Sequence, residues 1–303
     1  MIDVKRLYKL LAVSVGVNVV LICALAYIGT GSGICYFSSF EDRKEVQYYE
    51  PEDKPNNQSA KPSRRALTIP VADFYVAVFF RRGSYNGIEF HSDYYACSGT
   101  VIAYNWILTA AQCLNYLRRY SISLRNAYVK TKLNGLEDPD AVTHEIRYYI
   151  VHEDYFDYYK VDIGLIRIHA PPLLAEIVSE PPLPLAEEHY KYEDNSFCVI
   201  DGISKDSKNY QVIDLEIVST KRCQQSPNIY RELTEYRFCA KFPPEKTSCT
   251  FPVGTAVIQN DYMIGLNIDA NCNRTEDPAV FIKVSYFYKW IKRKCTENEC
   301  WKT

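Results

Sequence analysis

The chain has 303 residues, of which 47% are hydrophobic and 24% charged. Those are globular proportions, and they exclude both a marginal mini-domain and a largely disordered chain. With 35 lysines and arginines against 37 aspartates and glutamates, the formal charge is -2. No broad basic field exists to hold a nucleic acid backbone, so nucleic acid is not an expected partner.

The first element runs from Leu10 to Ile28. It is uncharged and apolar over about 19 residues, close to the roughly 20 that a helix needs to cross a bilayer. Lys5, Arg6 and Lys9 precede it against Asp3 alone. After it Glu41, Asp42, Arg43 and Lys44 balance. This flank keeps the N-terminus cytosolic and sends the remainder outward. Two readings of residues 1–29 stay open. One is a retained signal anchor, giving a single-pass type II plasma-membrane protein. The other is a signal peptide cleaved near Ala24-Leu25-Ala26, giving a secreted protein. The length of the run favours the anchor. Both deliver the 11 cysteines to a compartment where disulfides form.

Residues 30–68 read as a stem. The polar stretch after Glu41 contains Pro51, Pro55 and Pro62 and few branched aliphatics, so it buries too little surface to fold alone. Asn57-Gln58-Ser59 is a glycosylation sequon here, and Asn273-Arg274-Thr275 is a second one downstream.

The folded domain is expected over residues 69–303. Short β-like runs follow one another at 75–80, 100–102, 147–151, 164–168, 198–200, 211–217, 255–258 and 263–268, with turn-formers between them. Many short strands with little helix predict an all-β barrel or sandwich. The one helical run is Ser285 to Lys294, where Phe287, Trp290 and Ile291 share a face. The 26 tyrosines fit strand propensity and surface packing. His91, His144, His152, His169 and His189 are scattered without metal-ligand spacing. No metal or cofactor is expected.

Four segments carry a resemblance. Tyr95-Ala96-Cys97-Ser98-Gly99-Thr100-Val101-Ile102 is followed by Asn105-Trp106-Ile107-Leu108-Thr109-Ala110-Ala111-Gln112-Cys113. This pair resembles the histidine segment of the trypsin-like (chymotrypsin-fold, S1 family) serine proteases, Cys-Gly-Gly-Ser-Leu-Ile and then Trp-Val-Leu-Thr-Ala-Ala-His-Cys. Val161-Asp162-Ile163-Gly164-Leu165-Ile166 resembles the family's Asp-Ile-Ala-Leu-Leu. Asp277-Pro278-Ala279-Val280-Phe281-Ile282-Lys283-Val284 resembles Pro-Gly-Val-Tyr-Thr-Lys-Val, and Trp290-Ile291 resembles the closing helix. The pieces stand in family order over about residues 74–292.

The resemblance implies two packed six-stranded antiparallel β-barrels and a C-terminal α-helix. The first barrel would span about 69–180 and the second about 181–284, with a crossover near Pro181 to Pro184. The helix and tail would take 285–303. It also implies the disulfides Cys97–Cys113, Cys223–Cys239 and Cys249–Cys272. Cys35, Cys198, Cys295 and Cys300 remain, with three possible pairings. Cys23 lies in the apolar run without an assigned partner. Gln259 stands about where the family's partner of the Cys198 equivalent would be.

The departures concern chemistry. Gln112 occupies the histidine position, and an amide carries no basic nitrogen near neutral pH. Val253 occupies the nucleophile position and has no lone pair to attack with. Phe251 replaces the first oxyanion glycine, so a reshaped or blocked oxyanion hole is expected. Asp162 alone of the triad equivalents is kept. Ser248 reads as a plain loop serine. Pro252 replaces the aspartate that would pair with a freed amino terminus. Cutting at Arg64-Arg65 would expose Ala66-Leu67 rather than Ile-Val. Thr247 falls at the pocket floor, and Asp269 brings a charge to the pocket mouth and would obstruct it.

The expected function is therefore non-enzymatic. A serine protease homologue outside the cell would bind extracellular proteins, as regulator or cofactor of an active serine protease or by contact with its inhibitor. A membrane-anchored adhesion or recognition protein is the alternative. A serine-type endopeptidase with a non-standard mechanism is the alternative of another class.

Overall fold

The computed structural model describes residues 74–103, 105–155, 161–169, 183–226, 233–244, 250–269 and 277–297. Outside them lie the apolar run Leu10 to Ile28, the stem, the Arg64-Arg65 pair, both sequons (Asn57 and Asn273), Thr247, Ser248 and the Cys249–Cys272 pair. Among the described residues no helix is long and apolar enough to cross a membrane.

The first half folds as β1 (Tyr75–Phe80), β2 (Gly83–Tyr85), β3 (Ile88–Phe90), β4 (Tyr94–Ala103), β5 (Trp106–Thr109), α1 (Ala111–Arg119), β6 (Ala127–Thr131), β7 (Val142–Val151) and β8 (Gly164–Ile168). Strands β1-β4-β5-β8-β7-β6 close into a barrel of antiparallel pairs, and β2-β3 is a separate hairpin. Every residue of β1 is buried, which is why its apolar run is continuous rather than alternating. In β7 the alternation is visible: His144 and Ile146 point inward while Glu145 and Arg147 face water.

The second half contributes β9 (Phe197–Ile203), β10 (Tyr210–Val218), α2 (Thr220–Gln224), β11 (Arg237–Lys241), β12 (Ala256–Gln259), β13 (Tyr262–Asn267) and β14 (Ala279–Lys283). Strands β10-β11-β14-β13-β12-β9 close the second barrel. The predicted helix appears as a 3-10 turn over Ser285–Phe287 that runs into α3 (Tyr288–Glu297). Both barrels are six-stranded and antiparallel, as the resemblance implies.

Three apolar clusters organise the interior. One fills the first barrel around Val78, Ile107, Leu114 and Ile166. A second fills the other barrel around Ile200, Leu215, Phe238 and Phe281. The third joins the two: Phe74, Trp106, Leu108 and Leu165 of the first half pack with Met263 and Trp290 of the second. Area removed from water at roughly 25 cal/mol per Å² makes this shared cluster a tie between the barrels, and Tyr75, Phe79 and Tyr95 packing with Ile203 adds a second.

Disulfides Cys97–Cys113 and Cys223–Cys239 are present. Each closes a loop of sequence separation 16, and such a link typically contributes about 2–4 kcal/mol. Cys295 is also disulfide-bonded. Cys198 is a free, buried thiol, and burial pushes its pKa up. Gln259 binds the chain beside that thiol. Its Nε2 donates to the Phe197 carbonyl at 2.7 Å and to Ser196 Oγ at 3.1 Å, and its Oε1 accepts from the Tyr190 hydroxyl at 2.8 Å. Hydrogen bonds thus tie Gln259 of β12 to the start of β9.

Candidate functional site in the cleft between the barrels

Gln112 is the second residue of α1, which starts directly after β5. The disulfide from the next residue, Cys113, to β4 fixes this turn of helix against the barrel. Asp162 lies just before β8, 1% exposed. Its Oδ1 accepts the Gln112 backbone N–H at 2.8 Å, and its Oδ2 accepts Gln112 Nε2 at 2.7 Å. The same Nε2 donates its second hydrogen to the Ile268 carbonyl at 2.9 Å. The amide therefore bridges the barrels, with both its hydrogens engaged and 5% of its surface exposed. A charge-assisted bond to a buried carboxylate is among the stronger uses of an amide.

The segment carrying Val253 is anchored from both sides. Ser98 of β4 donates its backbone N–H to the Val253 carbonyl at 2.9 Å. Asn267, the last residue of β13, donates from Nδ2 to the Phe251 carbonyl at 3.0 Å and to the Pro252 carbonyl at 2.8 Å. Gly254 N–H donates to the Asn267 carbonyl at 2.8 Å. At φ +87° Gly254 is in the left-handed region, and a Cβ there would stand 2.0 Å from the Ser98 carbonyl oxygen. Only glycine allows this approach of the two backbones.

Val253 is half-buried and packs on the first barrel's core. Phe251 is 3% exposed, and its ring belongs to the second barrel's core. The ring thus reshapes the turn by being drawn inward; it does not plug the cleft from above. Asp269 is exposed, and its backbone N–H donates to Asn267 Oδ1 at 3.0 Å. Gln112, Asp162, Val253 and Asp269 are brought to one place, since Ile268 and Asn267 link the first two to the last two.

A polar seam runs beneath this segment. Ser98 Oγ and Thr255 Oγ1 share a hydrogen bond of 2.7 Å, and Thr255 Oγ1 donates to the Pro252 carbonyl at 2.7 Å. The Tyr75 and Tyr95 hydroxyls bond each other, and Tyr95 reaches the Ile203 carbonyl at 3.3 Å. Burial pushes the Tyr75 hydroxyl up to about 12. Nearby Asp201 is 2% exposed and accepts from the Tyr210 hydroxyl; burial pushes its carboxyl up to about 7. Sequence reading missed the parts played by Ser98 and Asn267. One signal is present: Ser98 stands where the quoted family segment has glycine.

The histidines lie elsewhere. His144 is buried against Thr131 Oγ1 at 2.9 Å. His152 stacks on Trp290 with centroids 4.9 Å apart. His91, His169 and His189 are exposed. Among the described residues no group of three or more His, Cys, Asp or Glu is placed to hold a metal ion.

The sequence profile of the trypsin family matches residues 72–291. The chain belongs to the trypsin family. Trypsin V-A of Rattus norvegicus is 27% identical over 222 residues, covering 70% of this chain and 84% of that protein. Trypsin-3 of Salmo salar is 27% identical over 218 residues, covering 68% and 86%. Among solved structures, neuropsin, a serine protease of mouse brain, superposes with a TM-score of 0.57 at 21% identity, covering 75% of this chain and 96% of that one. That likeness concerns the fold. Gln112 and Asp162, both within the matched residues, are in hydrogen-bond contact.

Proposed function

We propose that this trypsin-family chain does not cut peptides and acts outside the cell as a protein-binding module, a regulator or cofactor of an active serine protease. The observation that carries this reading is the Gln112 amide. Its two hydrogens are committed to Asp162 and Ile268, and a carboxamide accepts no proton near neutral pH. General-base help contributes typically 10²–10⁴-fold to such reactions. Val253 offers neither hydroxyl nor thiol at the position of attack. Pro252 carries no carboxylate to pair with a freed amino terminus, and its carbonyl is taken by Thr255 and Asn267. Support for the extracellular setting comes from the apolar run at the N-terminus and from the disulfides.

Fluorophosphonate labelling and cleavage of a peptide library by the purified full chain test the reading, with rat trypsin V-A as the comparison. No labelling and no turnover are expected. Sustained turnover by protein free of contaminating protease overturns it.

A further inference from the structure

An acid is buried in the seam between the barrels. Asp201 lies in β9 and is 2% exposed. Strand alternation puts it on the same face as Ile203, which packs with Tyr75, Phe79 and Tyr95 of the first barrel. The Asp201 carboxyl accepts the Tyr210 hydroxyl. Contacts lead on from there in steps. The Tyr210 ring meets the Tyr75 ring edge-on, with centroids 5.7 Å apart. The Tyr75 and Tyr95 hydroxyls bond each other, and Tyr95 holds the Ile203 carbonyl at 3.3 Å. Burial raises the pKa of both hydroxyls, and Ser98 beside them offsets part of that rise. Ser98 Oγ in turn bonds Thr255 Oγ1 at 2.7 Å, and Thr255 Oγ1 donates to the Pro252 carbonyl at 2.7 Å. The backbone next to Asp201 touches the same groups: a Cβ on Gly202 would stand 2.6 Å from the Tyr75 ring and 2.8 Å from Thr255 Cγ2.

Hydroxyls and apolar groups surround the carboxyl. β10 brings Tyr210 and Val212, and half-buried Asp214 stands one step along the same face, opposite Val199. β12 brings Ala256. β1 brings Tyr75, whose hydroxyl senses the Asp201 charge, and β4 brings Tyr95. Among the described residues, no lysine, arginine or histidine forms an ion pair with Asp201. Lys205, further along the chain, donates its ammonium to the Ala96 carbonyl at 3.5 Å. Burial pushes the Asp201 carboxyl up to about 7. An ionised carboxylate in such a place needs water or a further donor, and the seam must part to admit either.

We propose that this seam is a proton-operated latch: with Asp201 neutral it holds the barrels closed on the segment from Phe251 to Thr255, and loss of the Asp201 proton to water opens it and loosens that segment. In the open form the carboxyl is hydrated and its pKa returns toward 3.8. The closed form therefore binds the proton more tightly. Opening grows as pH rises from about 4 and levels off above about 7. The cleft thus has two forms, and a partner that prefers one of them binds in a pH-dependent way. The inference concerns the same segment as the proposed loss of cleavage but does not rest on it.

Amide hydrogen exchange of the full chain at about pH 5 and about pH 8, corrected for the intrinsic exchange rates, tests the latch. The Ser98 and Gly254 amides bond across or beside the seam, to the Val253 and Asn267 carbonyls. Their protection should fall by about tenfold or more between the two pH values, while the β7 amides keep theirs. Asp201→Asn retains an acceptor for Tyr210 and has no proton to lose, so its protection should be level across the range. Tyr95→Phe keeps the ring and removes the hydroxyl that joins Tyr75 to Ile203, and it should shrink the pH response at Ser98 and Gly254. Protection that does not change with pH in the wild type overturns the proposal. So does a full pH response in either variant. Exchange reads the seam and peptide cleavage reads the chemistry, so either reading can fail while the other stands.

Discussion

Asp201 shows what a single side chain does to this fold. Its carboxyl is pushed from 3.8 up to about 7 by burial, so the folded protein holds the proton more tightly than the unfolded chain. Protonated Asp201 thus contributes stability that is complete below about pH 4 and is lost as pH rises through about 7. Each pH unit between those limits is worth about 1.4 kcal/mol, so the loss is on the order of 4 kcal/mol. Asp201→Asn keeps an acceptor for the Tyr210 hydroxyl and has no proton to lose. Denaturant unfolding at about pH 4 and about pH 8 should therefore show the wild type falling relative to Asp201→Asn. Parallel pH curves for the two proteins would contradict the assignment. The sequence displays Asp201 as an acid just past the β-like run 198–200; the strand extends through it, and its burial follows from pairing with Val212 on one side and Ala256 on the other.

Among the elements, the segment from Phe251 to Thr255 owes its path to one residue. Gly254→Ala would drive a methyl into the Ser98 carbonyl, and it would also impose a side chain on a left-handed backbone. The hydrogen bonds from Ser98 to Val253 and from Gly254 to Asn267 would then open together. A loss of several kcal/mol is expected, on the order of 3 kcal/mol or more for strain with broken bonds. Hydrogen exchange should show the Ser98 and Gly254 amides losing protection, while the β7 amides keep theirs. Equal protection in both proteins would refute the argument.

How far these elements could be read from the residues depends on their pattern. Strand β1 carries an unbroken apolar run and β8 a run broken only by Arg167, and their predicted bounds coincide with the observed ones. β11 escapes notice because Arg237 and Lys241 leave only three apolar residues between two charges, although Arg237 itself is 2% exposed. α1 has only nine residues, too few for a periodic signal to stand out, with Leu114 and Leu117 as its apolar pair. The hairpin β2–β3 is short and half-polar and leaves little trace. At the cleft, the motifs single out Gln112, Asp162 and Val253, and the fold joins the first two by a hydrogen bond. What the amide grips, and the inward turn of Phe251, depend on side-chain packing that no motif encodes.

For the molecule as a whole, the shared cluster determines how it comes apart. Leu108, Leu165, Met263 and Trp290 belong to one apolar body drawn from both barrels, and the bonds of Ser98 and Tyr95 cross the same boundary. The barrels are therefore expected to unfold together. Leu108→Ala should cost about 2–5 kcal/mol and lower the temperature of a single calorimetric transition. Two separate transitions, with only one shifted, would show that the barrels are independent.

The grip of Gln112 has one further consequence, for the road back to histidine. A neutral imidazole owns one N–H, whereas the carboxamide owns two. Installing the ring would give up one of the amide's two bonds, to Asp162 Oδ2 or to the Ile268 carbonyl, at roughly 1 kcal/mol or more for a lost buried hydrogen bond. A chain that has settled around the amide thus stands on the lower side of a step, and regaining the proton carrier would first mean loosening the seam that keeps its halves aligned.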